Sequence, residues 1–255
     1  MVRTLLICGL VAGVIAGMLA FAFETVAGEP AVDAAIAYEE AIAPGGAAGE
    51  PGSEPVSRDA QKGVGLLSAS VVYGLALGGL FALVFALGYG RIGHGRWSPG
   101  RTALGFAAAA FVVVFLVPAL KYPPNPPAVG DADTIGERTA LYLTMIAISI
   151  AAAVAGWRLR RVLATRLAGN AASALGLLGY VAIATLAALA LPAGPEIPPT
   201  FPADTLWEFR VASIGTQLVL WSAIGAVFAL LAQRVMTGRP LSSLRRSGRV
   251  AAAGD

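Results

Sequence analysis

The sequence predicts an all-α fold: a polytopic helical membrane protein of about six transmembrane helices with both termini cytoplasmic. Three observations lead there. Hydrophobic residues make up 57% of the 255 and charged residues only 13%, against roughly 25% charged in an average soluble domain. The scarce charges leave six uncharged stretches, 4–23, 63–90, 102–120, 139–157, 167–195 and 211–233, each near the length of about 20 residues that carries a helix across a bilayer. Finally, the connecting segments alternate between basic and acidic. Backbone groups in lipid must bond within their own segment, so these stretches read as helices. The alternating segments of about ten residues that mark a membrane barrel are absent.

With some polar residues allowed at the ends, the spans are expected at about 4–27, 63–90, 102–120, 138–157, 171–191 and 206–232, in one bundle over residues 1–240, with a basic cytoplasmic tail at 241–255. The first run follows Arg3 and carries Gly9, Gly13 and Gly17 every four residues. That is a small-residue face for close helix packing in lipid, and it favours a retained span over a cleaved signal peptide. An outer loop follows at 28–62. Its "EPAVDAAIAYEEAI" suits a short amphipathic helix with Val32, Ile36 and Ala43 on one side, and its "APGGAAGEPGSEPVS" reads as a flexible linker. The second span repeats the small-residue theme at Gly74 and Gly78. Beyond it lies a short basic loop, "GRIGHGRW", with the single histidine, His94, read as a surface residue. The third span ends at "KYPPNPPAVGDAD", whose prolines stiffen an extended backbone and forbid helix. A second basic turn joins spans four and five, and a second proline-rich loop, "LPAGPEIPPTFPAD", leads into span six.

Charge sorts by side. Arg3, Arg91, Arg96, Arg101, Arg158, Arg160, Arg161, Arg166, Arg234, Arg239, Arg245, Arg246 and Arg249 lie on one side, which is 13 of the 18 basic residues. The positive-inside rule makes that side cytoplasmic. Fourteen of the fifteen acids lie at the other face and only Asp255 with the basic loops. Such asymmetry suggests an acidic outer vestibule that concentrates cations, although acidic loops are also simply well solvated.

The two proline-rich loops share a pattern: a Pro-Pro pair, a spacer, Ala-Asp-Thr, an aliphatic residue, one residue, then Glu, with the copies 71 residues apart. Thr134 with Glu137, and Thr205 with Glu208, fit a capping box at the starts of spans four and six. Further in, Arg210, Ser213, Gln217 and Trp221 share one face of span six, and Arg138, Tyr142, Met145 and Ser149 share one of span four. Polar faces in a membrane bundle normally point inward. They either line a path or join helices by hydrogen bonds. As a path, Glu137, Arg138, Glu208 and Arg210 frame its mouth, and Ser213 and Gln217 line its depth. Glu29, Asp33 and Glu40 fall near one face of the loop helix and are the candidate ligands for a divalent cation.

Several classes are set aside. Cys8 is alone, so no internal disulfide forms. There is no G-x-x-x-x-G-K-[ST], no H-E-x-x-H and no G-x-S-x-G, so ATP hydrolysis on a P-loop and the common hydrolase chemistries are not expected. No catalytic residue and no bound cofactor are assigned. Asp131 and Asp133 could be read as paired acids of a lipid-acting enzyme, but a helix-start role accounts for Asp133. A scaffold that only assembles other membrane proteins stands as the alternative to transport.

Three segments carry a resemblance: "GLVAGVIAGMLAF" with "EPAVDAAIAYE", "LKYPPNPPAVGDADTIGERTALYL", and "FPADTLWEFRVASIGTQLVLW". In that order they resemble the CbtA family of predicted cobalt transporter subunits. The resemblance implies a polytopic membrane subunit linked to cobalt supply for cobalamin synthesis, with cobalt(II) as the transported ion. It also implies a partner, CbtB, a small single-span protein with a histidine-rich tail. Such a partner would supply the imidazole that cobalt(II) favours and of which this chain has only His94. The family is usually described with five spans, and six are counted here.

Overall fold

The structure is a computed structural model that describes residues 1–42, 56–91, 97–194 and 196–238. Most of the expected linker, His94 and the basic tail lie outside the described residues. Among the described residues there is no strand. Six helices are long and apolar enough to cross a membrane: α1 Val2–Ile42, α2 Arg58–Gly88, α3 Pro99–Lys121, α4 Ile135–Leu163, α5 Gly169–Ala190 and α6 Ala203–Thr237.

The helices outrun the apolar windows. α1 has 41 residues, about 62 Å at 1.5 Å per residue and twice the hydrocarbon thickness of about 30 Å. The amphipathic segment expected in the first loop is its continuation rather than a separate helix. α4 likewise runs on to Leu163 and α6 begins at Ala203. Apolarity stops at the lipid boundary, but the helical hydrogen-bond ladder does not need lipid to continue.

Three helices contain one widened π-turn each: Glu24–Gly28, Gln61–Gly65 and Phe111–Leu116. Two of them sit directly before a proline. The Glu29 amide bonds to Glu24, five residues back, just before Pro30, and the Val117 amide to Val112 just before Pro118. Proline has no amide to donate and its ring collides with the carbonyl four residues back. The wider turn re-registers the ladder there, so the helix passes the proline instead of ending. In α2 the turn holds Gly63 and Gly65 instead.

Two compact units divide the chain. The first contains residues 1–22, 58–108 and 218 onward. Here Gly9, Gly13 and Gly17 of α1 meet Gly78, Gly74 and Ser70 of α2 at backbone contact, and a methyl group on any of the three α1 glycines would run into a carbonyl oxygen of α2. Lipid tails are as apolar as leucine, so burial from water does not drive this contact. Close packing does, and glycine permits it. A second contact is aromatic: Phe85 and Phe228 are fully buried, with ring centres 4.9 Å apart, and Phe81 meets Phe228 edge-on at 5.1 Å. The Gly100 amide at the start of α3 donates to Gln233 Oε1 of α6 at 2.9 Å.

The second unit contains residues 23–57 and 109–217. Its centre is the α4–α5 hairpin, closed by a short turn at 164–168. Gly156 and Gly176 let the two backbones touch, as a methyl on Gly176 would stand 2.7 Å from the Gly156 oxygen. Deeper in the hairpin, the Ser149 and Tyr180 hydroxyls form a buried hydrogen bond of 3.1 Å. A small separate core of Ala35, Val129 and Phe201 lies where α1 and the two proline-rich loops meet, with Tyr38 edge-on to Phe201 at 4.9 Å.

Candidate functional site

The proline-rich loops satisfy only part of their own backbone, through turns such as the Phe201 amide to the Pro198 carbonyl at 2.9 Å. A proline donates nothing, so the carbonyls around it need donors from elsewhere. In the second unit those donors are long side chains from the helix ends. Tyr122 Oη donates to the Pro192 carbonyl at 2.9 Å and Lys121 Nζ to the Leu191 carbonyl at 3.0 Å, which ties one proline loop to the other. Arg138 Nη2 donates to the Asp131 carbonyl at 2.9 Å, with a longer contact of 3.4 Å from Nη1 to Val129. Arg210 Nη2 donates to Asn125 Oδ1 at 2.8 Å, and its Nε reaches the Pro124 carbonyl at 3.4 Å. Tyr38 Oη and Thr200 Oγ1 lie 2.6 Å apart in a hydrogen bond that joins α1 to the second proline loop. The guanidinium suits this task because its five donors are held in a rigid fork. Burial pushes the Tyr122 phenol above its ordinary value of 10.0, so at neutral pH it stays a donor.

The starts of α4 and α6 differ from the expected capping boxes. The Thr134 hydroxyl donates to the Asp131 carbonyl at 2.8 Å and does not cap the helix. The Asp131 carboxylate instead accepts the Asp133 amide at 3.1 Å in an Asx-turn that closes the 3₁₀ turn Ala132–Thr134 just before α4. α6 begins two residues before Thr205, which therefore lies inside the first turn. At α4 the pattern places the start correctly, with Thr134 directly before Ile135, but the side-chain cap is not made; at α6 the helix begins two residues earlier than the pattern assumes.

Two cavities flank Arg138. One, of about 350 Å³, is lined by Phe115, Asn125, Thr139 and Tyr142 among others. The other, of about 340 Å³, is lined by Asp131, Thr134, Glu137, Gly194 and Glu196. Arg138 lines both, and its Nε is buried without a hydrogen-bond partner. Glu137 and Glu208 are exposed, and neither forms an ion pair with Arg138 or Arg210; both arginines are occupied by loop groups. Glu29 and Asp33 are half-buried along α1 and Glu40 is exposed. Among the described residues no three His, Cys, Asp or Glu side chains are arranged to hold a metal ion, and that includes this trio.

Deeper in α6, Ser213 Oγ donates to the Phe209 carbonyl at 2.8 Å and keeps its acceptor capacity. Gln217 Oε1 and Trp221 Nε1 are both buried with no hydrogen-bond partner among the described residues. One is an acceptor and one a donor, four residues apart on one helix face. Gln217 lies about 21 Å along the helix from Ala203, well inside the span. An unsatisfied buried polar group costs about 1–3 kcal/mol. The polar face of α4 behaves otherwise: Tyr142 lines a cavity, Met145 is packed in the interior, and Ser149 is bound to Tyr180.

Sequence reasoning missed Asn125 and Glu196. Asn125 is the one residue among the four prolines of "PPNPP", and that isolation was the available signal.

Six membrane-length apolar helices, with proline-rich loops clamped by side chains from the helix ends, define an integral membrane protein of the polytopic helical class. The chain belongs to the family described as "Probable cobalt transporter subunit (CbtA)", which it matches over residues 2–233. That is a family of transporter subunits, so the chain works within a complex. No curated protein and no solved structure matches it.

Proposed function

We propose that this chain is the membrane-embedded subunit of a cobalt(II) uptake system that feeds cobalamin synthesis. Its basic loops and both termini face the cytoplasm and its proline-rich loops face outward. The outer acids concentrate the cation. Glu137 and Glu208 stand at the mouth, while Arg138 and Arg210 hold the loops around it in place. Ser213 and Gln217 offer neutral oxygen ligands in the depth of α6. A single-span, histidine-rich subunit of the CbtB type supplies the imidazole, since this chain has one histidine and one cysteine. No catalytic role falls to any residue.

Family membership over residues 2–233 is the observation that carries this reading, and the unsatisfied Gln217 oxygen supports its course through α6. Radiotracer cobalt uptake in cells with and without the chain and its partner tests it. Equal uptake in both removes it. A second reading, a non-transporting assembly subunit, draws on the glycine contacts and on the lack of a metal-ligand cluster among the described residues. Glu208→Ala with Gln217→Ala separates the two: an assembly subunit keeps its function wherever the complex still forms, and an ion path does not.

A further inference from the structure

We propose that the basic end of the α4–α5 hairpin is a binding surface for the phosphodiester headgroup of an anionic phospholipid. Arg158, Arg160 and Arg161 lie in the last turns of α4, and Arg166 lies in the turn that follows. No acidic residue occurs between Glu137 and Glu196, so this end of the hairpin carries four positive charges and no negative one. Arg158 is 21 residues beyond Glu137 on the same helix, about 32 Å along the axis and several Debye lengths at physiological salt. The α4 carboxylate therefore cannot neutralise it. The side chains of Arg158, Arg161 and Arg166 are exposed, and none makes a hydrogen bond or ion pair among the described residues.

The cluster is also braced. Arg160 Nε donates to Ser173 Oγ of α5 at 2.9 Å, and the Ser173 hydroxyl donates in turn to the Gly169 carbonyl at 2.8 Å. The Arg160 stem lies against Gly176, where a methyl would stand 2.9 Å from its Cβ. The Arg161 guanidinium sits 5.1 Å from the centre of the Trp157 ring, a contact that holds a cation in place beside a residue type favoured at the headgroup level. Leu159, Val162 and Leu167 are 40%, 65% and 43% exposed among these arginines. The surface therefore alternates guanidinium with apolar side chain, which matches a phosphate directly above an acyl chain. A planar guanidinium fork binds phosphate oxygens in pairs.

The test is a titration of the purified full-length protein in neutral detergent with fluorescent phosphatidylglycerol and, separately, phosphatidylcholine. The wild type is expected to prefer phosphatidylglycerol. The triple variant R158Q/R161Q/R166Q is expected to lose affinity for it by about 10- to 100-fold, with three contacts of the usual surface strength removed. The variant R158K/R161K/R166K keeps the charge, and so the membrane orientation, and is expected to weaken binding several-fold. The control R91Q/R101Q/R234Q, on the other basic segments, is expected to bind as wild type. Full preference in either hairpin variant, loss confined to the control, or displacement of the lipid by millimolar inorganic phosphate each overturns the proposal. Should the glutamine variant fail to fold, the lysine variant decides.

Discussion

The contact between α1 and α2 offers a sharp test, because the same substitution has opposite consequences at two glycines. In Gly13→Ala, the added methyl runs into the Gly74 carbonyl oxygen and stands 2.8 Å from the Gly74 carbonyl carbon and 2.9 Å from the Leu75 Cα. Ordinary contact at such a methyl begins near 3.4 Å. The helices must part by at least about 0.5 Å, a gap that forfeits a quarter or more of each dispersion contact along the seam. Overpacking of this kind costs about 1–3 kcal/mol. Alanine returns up to about 1 kcal/mol through its better helix propensity. At Gly136, on the first turn of α4, a methyl meets nothing within 4 Å, so Gly136→Ala keeps the propensity gain without the collision. The two variants should differ by about 1–3 kcal/mol. At about 2–4 °C per kcal/mol for a chain of this size, that is roughly 5 °C in apparent Tm. The assay is thermal denaturation of detergent-purified protein followed by the loss of the monodisperse size-exclusion peak. If both variants melt within about 1 °C of each other, the backbone contact between α1 and α2 is wrong.

Other outcomes follow from the clamps and the buried amide. Asn125→Ala removes the acceptor of Arg210 Nη2 and should speed amide exchange across residues 122–131, at a stability cost of about 1–2 kcal/mol; unchanged exchange would show that Arg210 does not hold this loop. Because the folded-state pKa of Tyr122 is raised, its contribution is fully present below the ordinary value of 10.0 and is lost as pH rises through the raised one. Alkaline melts should therefore be flat to near pH 10 and fall above it, and Tyr122→Phe should remove that part of the fall. Gln217→Leu satisfies the buried site without an oxygen, so it should preserve the melting temperature while lowering cobalt uptake; uptake at the wild-type level would remove Gln217 from the path. Gly156→Ala should loosen the α4–α5 hairpin and lower the melting temperature as Gly13→Ala does.

Much of the candidate site was visible as residue types without being visible as roles. Arg138 and Arg210 stood out because a charge near an apolar run is expensive. Their position on the chain suggested the mouth of a path beside Glu137 and Glu208. What no periodicity could show is that each guanidinium is occupied by carbonyls and an amide of a proline loop. Those acceptors are up to 86 residues away in sequence. The Thr-x-x-Glu pairs misled for a local reason. At α4 the start falls where the pattern puts it, but the Thr134 hydroxyl turns back to the Asp131 carbonyl, and at α6 the helix starts two residues early. Glycine periodicity was more informative. Gly9, Gly13 and Gly17 announced a packing face, and only their partners, Gly78, Gly74 and Ser70, had to come from the fold.

The amino-acid sequence by itself determined the number and kind of elements, since a run of about 20 apolar residues in lipid has no way to satisfy its backbone except as a helix. It determined that charge gathers in the connecting segments for the same reason, because charge is excluded from the runs. The tertiary structure alone decided how α1 and α3 pass their prolines through π-turns, which glycines face each other, and which loop carbonyls the arginines and Tyr122 serve. It also decided that Gln217 and Trp221 are buried without partners. The π-turns and the Arg138 contacts are local, but the glycine pairs and the Arg210 and Tyr122 contacts depend on groups far apart in the chain meeting within a few ångströms, and hydropathy and spacing carry no information about such meetings.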